Sequence, residues 1–167
     1  WREALPGMTL LWEPAQQFMT PENARAFRAA LPQVDIVSPN WIEAQAVYGF
    51  AEPEALVRAM LDDGAPVAVV RLGEQGSIAG RQGDPQFVCV PAVPVPRIVD
   101  QTGAGNTYCG AFLVGWCETG DLAEAACRGA VAASFALEVI GVADPPENYA
   151  ALRETRMREL VGRITVT

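Results

Sequence analysis

The segment from residue 100 to residue 107 reads DQTGAGNT and contains the groups best suited to chemistry on a bound anion. Asp100 ends a predicted strand, a glycine-rich turn follows, and a predicted helix begins at Gly105. Glycine allows positive φ and lets a ligand approach the backbone without obstruction by a Cβ atom. The first N–H groups of a helix have no intrahelical acceptor and carry positive potential. The spacing therefore predicts a phosphate-binding turn, and a tight turn that uses glycine for geometry alone is the alternative.

The composition removes several other chemistries. All 12 basic residues are arginines, and the chain has no histidine. A phosphate-binding loop with lysine, a Schiff base, Ser-His or Cys-His pairs and histidine-bearing zinc sites are therefore excluded. The formal net charge of −8 argues against nucleic acid or an anionic membrane surface as a partner. Catalysis must come from carboxylates, arginine, amides, hydroxyls and the backbone.

Cysteine spacing and hydropathy give expectations about location. The cysteines lack CxxC spacing and stand among apolar residues, which predicts reduced core thiols in a cytoplasmic protein. They are Cys89, Cys109, Cys117 and Cys127. No apolar run approaches the roughly 18 residues of a membrane span. Near the C-terminus, arginines interleaved with glutamates predict a solvated helix face. These arginines are Arg153, Arg156, Arg158 and Arg163.

Apolar runs alternate with helical patterns along the chain. The predicted strands are 8–12, 34–38, 67–70, 77–79, 87–90 and 97–99. The predicted helices are 21–31, 40–49, 53–62, 105–118, 122–138 and 148–161. The run 67–70 is wholly apolar and mostly β-branched, which is typical of a strand covered on both faces. The alternation predicts an α/β layered sheet, and the turn-rich residues 81–85 predict a hairpin.

Three sequence motifs carry a resemblance to a known family. The segment DQTGAGN followed by TYCGAF resembles the C-terminal signature of the ribokinase-like (PfkB) carbohydrate kinases, whose usual form is DTxGAGD. SPNWIE at 38–43 resembles the family's NxxE motif, and VRLGEQGS at 70–77 resembles its LGxxG turn. The resemblance covers nearly the whole chain. It implies a three-layer ribokinase-like fold with a mostly parallel sheet, and ATP-dependent phosphoryl transfer to a sugar or nucleoside hydroxyl.

The resemblance also implies roles for individual residues. The anion hole for the transferring phosphoryl group is Gly103, Ala104 and Gly105. Asp100 matches the acid that helps to hold a monovalent cation such as K⁺, and Asn40 with Glu43 matches the pair that organises Mg²⁺ through water. The resemblance places three residues near the nucleotide: Arg71, Gly73 and Gly76. Three small residues resemble those that form the wall of the family's adenine pocket: Gly129, Ala132 and Ala133.

Two departures from the family pattern qualify the expected activity. Asn106 stands where the family has the aspartate that accepts the proton of the acceptor hydroxyl, and an amide cannot accept it. The GAGN wording and Arg71 in place of threonine resemble a divergent, mainly fungal branch. Nothing in the chain matches the sugar-binding half and lid of the family. We therefore expect residues 1–167 to form the nucleotide-binding and catalytic half alone, with a sheet edge open to pairing as a homodimer.

Three alternatives stay open at this point. Asn40 followed by Glu43 also fits a capping box, which starts a helix without any ligand. Asn106 favours a nucleotide-binding protein without catalysis, a pseudokinase. A dinucleotide-binding oxidoreductase is the third alternative, because Gly103 and Gly105 partly mimic GxGxxG, although Tyr108 occupies the third glycine position.

Overall fold

The computed structural model describes residues 6–142 and 146–167, which contain a six-stranded sheet flanked by helices. The strands are β1 (Leu11–Trp12), β2 (Ile36–Val37), β3 (Val67–Arg71), β4 (Ser77–Arg81), β5 (Val88–Val90) and β6 (Thr165–Val166). The α-helices are α1 (Ala24–Ala30), α2 (Trp41–Tyr48), α3 (Pro53–Asp62), α4 (Ala104–Thr119), α5 (Leu122–Ala136) and α6 (Tyr149–Val161). Every predicted helix is present, and so are the first five predicted strands.

The strands cross the sheet in chain order. β1 pairs with β2 and β2 with β3 in parallel, whereas the pairs β3–β4, β4–β5 and β5–β6 are antiparallel. Helical connections join the parallel strands, while short turns join β3 to β4 and β4 to β5, and a tight turn can link only antiparallel neighbours. The α/β fold class and the hairpin are confirmed. The predicted parallel order holds for β1 to β3, and the remainder of the sheet is antiparallel.

Residues 97–99 do not form a strand, so this prediction is wrong. They are exposed and follow Pro94 and Pro96, which lack the backbone donors that a sheet requires. The sixth strand is instead β6, whose Thr165 pairs with Cys89 of β5. A strand of two residues is too short to leave a periodic signal in the sequence.

Strand β3 is covered on both faces, as predicted. Val67, Ala68, Val69 and Val70 are each 3% exposed or less. Ala68 and Val70 pack against α1, α2 and α3, whereas Val67 and Val69 pack against α4, α5 and α6. The sheet therefore separates two helical layers, and its third strand ends at the candidate site.

The cysteines are only partly buried, which corrects the expectation of four core thiols. Cys109 and Cys127 are buried, Cys89 is half-buried and Cys117 is exposed near the end of α4. Desolvation raises the pKa of the Cys109 thiol to about 11 and that of Cys127 to about 11.

Alkylation should therefore distinguish these thiols. In the folded protein near pH 8, iodoacetamide is expected to modify Cys117 faster than Cys109 or Cys127 by roughly a hundredfold, since only the thiolate reacts and each pKa unit removes a factor of ten. Peptide mapping by mass spectrometry measures the three rates, and unfolding in urea should make them equal. Equal rates in the folded protein would contradict the burial of these two residues.

Arg156 is not part of a solvated face, which corrects a second expectation. Its guanidinium carbon lies 4.0 Å from the centre of the Phe135 ring. Nη1 donates to Ser134 Oγ at 2.8 Å, and Nη2 donates to Glu138 Oε2 at 2.7 Å. Sequence spacing alone could not reveal these contacts, because they join α6 to the end of α5. They fix the segment that follows α5 beside the candidate site.

Candidate functional site

The turn before α4 has the geometry of an anion-binding site. Gly103 is the N-cap of α4 with φ of +82°, a conformation that favours glycine. Asp100 Oδ1 accepts the N–H of Thr102 at 2.9 Å, and this hydrogen bond lowers the pKa of the Asp100 carboxyl. The first helical hydrogen bond runs from Thr107 N to Gly103 O at 2.9 Å. The N–H groups of Gly105 and Asn106 therefore precede the hydrogen-bonded part of the helix and can donate hydrogen bonds to an anionic ligand.

An ion pair from the ends of β1 and β3 lies directly beneath this turn. Arg71 Nη2 donates to Glu13 Oε1 at 2.7 Å and to Ser38 O at 3.0 Å. The carboxyl ends of parallel strands meet at one edge of a sheet, which is where α/β proteins bind ligands. Glu13 was not among the predicted site residues. The sequence signal that could have identified Glu13 is an acidic residue immediately after a predicted strand, as Asp100 is after the strand predicted at 97–99.

Gly105 is required for the close approach of this ion pair to α4. A Cβ atom at residue 105 would collide with Arg71 Nη1 and lie 2.9 Å from Glu13 Oε1. The guanidinium group therefore contacts the first turn of the helix, whose free N–H groups are one face of the site. The structure thus brings together Arg71, Gly103, Gly105 and Asn106.

Asn40 and Glu43 form the capping box of α2. Glu43 N donates to Asn40 Oδ1 at 2.9 Å, and Asn40 N donates to Glu43 Oε2 at 2.7 Å. The same Oε2 atom lies 3.9 Å from Arg71 Nη2, and Glu43 is 6% exposed. The NxxE motif therefore has a complete structural role at the start of a helix, and its carboxylate already faces a cation.

These residues do not fit a directly held Mg²⁺ ion. One oxygen of Glu43 accepts a backbone N–H, and its charge is balanced by a guanidinium rather than left open to a metal. Within residues 6–142 and 146–167, no group of three or more acidic or cysteine side chains is arranged to hold a metal. The role of Asn40 and Glu43 in organising Mg²⁺ through water stays a prediction.

Gly73 and Gly76 shape the turn between β3 and β4. Leu72 N donates to Gly76 O at 2.7 Å, which closes the turn. Gly76 has φ of +97°, and a Cβ atom there would collide with Val90 O. Gly73 has φ of +61° and faces open space. Gly76 is therefore required by the fold, whereas Gly73 leaves room for a ligand.

The three small residues predicted to line the adenine pocket lie on α5. A Cβ atom at Gly129 would lie 2.8 Å from Tyr108 Cε2, so this glycine admits the Tyr108 ring between α4 and α5. Ala132 lines a groove beside Gly110 and Tyr149, and Ala133 packs against the core of the α4 side. Their role in nucleotide binding stays a prediction.

An exposed apolar surface, residues 98, 99 and 140, lies beside the turn and was not predicted. Val99 N donates to Leu137 O at 2.7 Å, which ties the segment before Asp100 to the end of α5. Ile98 is 52% exposed, Val99 is 42% exposed and Ile140 is 79% exposed. Three large apolar side chains are therefore exposed close to the turn.

Comparison with known proteins assigns the chain to a family. Residues 14–148 match the pfkB family of carbohydrate kinases, a range that includes the NxxE, LGxxG and GAGN segments. The chain belongs to this family. The predicted resemblance is confirmed, and a dinucleotide-binding oxidoreductase has no support.

Several relatives are kinases of small molecules. The chain is 34% identical to a cytidine kinase of Thermococcus kodakarensis over 53% of this chain and 32% of that protein. It matches the crystal structure of adenosine kinase from Sinorhizobium meliloti with a TM-score of 0.77 and 28% identity, over 89% of this chain and 45% of that chain. It matches Arabidopsis thaliana ribokinase complexed with ribose and ATP with a TM-score of 0.70 and 26% identity, over 92% and 48% of the two chains. The chain spans less than half the length of each relative.

Across the described ranges, no helix is both long and apolar enough to cross a membrane.

Proposed function

We propose that this chain is the nucleotide-binding and catalytic half of an ATP-dependent kinase that phosphorylates a hydroxyl of a sugar or nucleoside. The observation that carries the proposal is the pair of N–H groups at Gly105 and Asn106, which have no backbone acceptor within the described residues, in a chain of the pfkB family. Phosphoryl transfer depends mainly on positioning and on stabilisation of charge on the transferring oxygens. A helix N-terminus whose first N–H groups lack helical acceptors supplies both.

The turn before α4 and the residues around it bind the phosphates, a cation and the nucleotide base. The turn formed by Gly103, Ala104 and Gly105 holds the transferring phosphoryl group through the N–H of Gly105 and that of Asn106, since the N–H of Ala104 donates to Gln101 O at 3.3 Å. Asp100 contributes to a K⁺ site beside it. The nucleotide base lies against the exposed surface of residues 98, 99 and 140, with Ala132 and Ala133 in the wall behind it. Gly73 leaves space for the nucleotide at the β3–β4 turn. ATP supplies the phosphoryl group when it is bound.

Asn106 lowers the expected rate of phosphoryl transfer. It is exposed on the first turn of α4, where the family has its catalytic base. The amide can donate to a phosphate oxygen or to the acceptor hydroxyl but cannot remove a proton. A kinase with slow turnover is therefore the leading proposal, and a nucleotide-binding pseudokinase is the second candidate that this residue favours.

The proposed protein is cytoplasmic and pairs with a further strand at the edge of its sheet. Free thiols and an acidic surface are typical of a cytoplasmic protein. Strand β1 has a free edge within the described residues, and an open edge favours pairing with a further strand, either of the sugar-binding half and lid known in the family or of a second copy.

ATP titration of the full-length protein tests the proposed function. ATP should raise the unfolding temperature, by the equivalent of about 2.7 kcal/mol at a concentration 100 times Kd, whereas NADH should have no effect. Transfer of labelled phosphate to ribose, fructose, adenosine or cytidine then separates the slow kinase from the pseudokinase. A protein that ATP does not stabilise would contradict both candidates.

A further inference from the structure

Arg156 on α6 holds the irregular segment that follows α5, residues 137–142. Its side chain is 13% exposed, and Nη2 donates to Glu138 Oε2 at 2.7 Å. Nη1 donates to Ser134 Oγ at 2.8 Å, and Ser134 is buried. The guanidinium also lies against the Phe135 ring, with its carbon 4.0 Å from the ring centre. Arginine combines a charge, a fork of donors and a flat face, and here all three fix the end of α5 and Glu138 against α6.

The segment 137–142 in turn contacts the residues that lead into the anion turn. Val99 N donates to Leu137 O at 2.7 Å, and Asp100 N donates to the same oxygen at 3.4 Å. Asp100 Oδ1 accepts the N–H of Thr102 at 2.9 Å, within the turn itself. Hydrogen bonds therefore connect the segment that Arg156 holds with the turn before α4.

The approach to the turn depends on these contacts because the sheet does not support it. Residues 97–99 do not form a strand, and Ile98 and Val99 are both exposed. Exposed backbone with few packed neighbours opens at a small cost in free energy. The hydrogen bonds to Leu137 O oppose this opening at the point where the chain enters the turn.

We propose that Arg156 is a positioning residue for the phosphate site, which through Glu138 and Leu137 holds the turn before α4 in the conformation that binds the nucleotide phosphates. The inference rests on the proposed function, because it concerns the same ligand. Arg156 acts by ordering the turn and not by attracting the phosphates, since Glu138 neutralises its charge. A turn that is already ordered loses less conformational entropy when a ligand binds. Helix α6, in which no site residue was predicted, thereby becomes part of the site.

Isothermal titration calorimetry with ATP in the presence of Mg²⁺ compares the native full-length protein with its variants. Arg156→Gln should weaken ATP binding by about tenfold, which is within the range of coupling between groups in one network. Arg156→Lys keeps the charge opposite Glu138 but loses the fork, so it should weaken binding by a smaller factor.

Arg128→Gln is the matched control. Arg128 also joins two helices by ion pairs, to Glu118 of α4 and Glu124 of α5, and its side chain is 19% exposed. Glu118 lies near the end of α4 that is opposite the turn. The control should therefore lower the free energy of unfolding about as much as Arg156→Gln and leave the affinity for ATP unchanged.

Hydrogen exchange without nucleotide provides a second readout, which does not depend on the ligand. Amides of residues 98–103 should exchange about tenfold faster in Arg156→Gln than in the native protein, because local opening costs less free energy. They should exchange at the native rate in Arg128→Gln. If Arg156→Gln does not fold, Glu138→Gln removes the same ion pair from a side chain that is 28% exposed, and it should change affinity and exchange in the same directions.

Equal effects of Arg156→Gln and Arg128→Gln on ATP affinity and on exchange across 98–103 would overturn this inference and leave the proposed function standing. A native protein that does not bind ATP would overturn both.

Discussion

Asn106→Asp is expected to raise the rate of phosphoryl transfer by the full-length protein by about a hundred- to ten-thousandfold, the usual contribution of a positioned general base. Residue 106 is exposed in the first turn of α4, next to the N–H groups proposed to hold the phosphoryl group. A carboxylate there can accept the proton of the acceptor hydroxyl as the new O–P bond forms. A coupled assay of ADP release, with sugars and nucleosides as acceptors, measures the rate.

The matched control is Asn23→Asp, which makes the same change of charge at an exposed position between β1 and α1. It should leave turnover unchanged. An Asn106→Asp protein that still binds ATP but shows no faster transfer to any acceptor would mean that residue 106 does not face the acceptor hydroxyl. The slow-kinase proposal would then lose its explanation.

Gly76→Ala is expected to lower the free energy of unfolding by about 3–5 kcal/mol, from backbone strain and a collision that nothing flexible can relieve. Gly76 has φ of +97°, and its Cβ atom would overlap Val90 O and lie 2.6 Å from the carbonyl carbon of Pro91. Urea denaturation followed by circular dichroism measures the loss.

Gly73→Ala provides the comparison for this change. Gly73 also has positive φ, at +61°, but a Cβ atom there meets nothing within 4 Å. Only the cost of a left-handed backbone conformation remains, about 1–2 kcal/mol. Equal losses for the two variants would show that the contact between Gly76 and Val90 does not limit stability.

Local signals in the sequence predicted most of the fold. Proline at the start of α3, and Asn40 with Glu43 at the start of α2, mark helix ends through contacts between near neighbours, and both predictions agree with the structure. The apolar run of β3 similarly predicted a strand covered on both faces. By contrast, Arg156 on α6 donates to Glu138, which follows α5. The two residues are distant in sequence, so no local pattern predicts their contact.

In the candidate site too, features set by neighbouring residues could be predicted, and contacts between residues distant in sequence could not. The turn at Gly103 was predictable because glycine and the helix start are adjacent in sequence. The pairing of Glu13 with Arg71 was not, since it depends on β1, β2 and β3 lying parallel and ending at one edge. Small residues such as Gly129 were ambiguous for a different reason: a glycine that admits the Tyr108 ring and a glycine that lines a pocket look identical in sequence.

Hydrogen exchange of the backbone amides, measured by mass spectrometry with and without ATP, tests most directly whether the turn before α4 binds the nucleotide phosphates. ATP should slow exchange in peptides that cover residues 103–107, because the N–H groups of Gly105 and Asn106 have no acceptor within α4. Slower exchange should also appear around Ile98 and Ile140. Protection elsewhere in the chain, with unchanged exchange across 103–107, would contradict the proposed site.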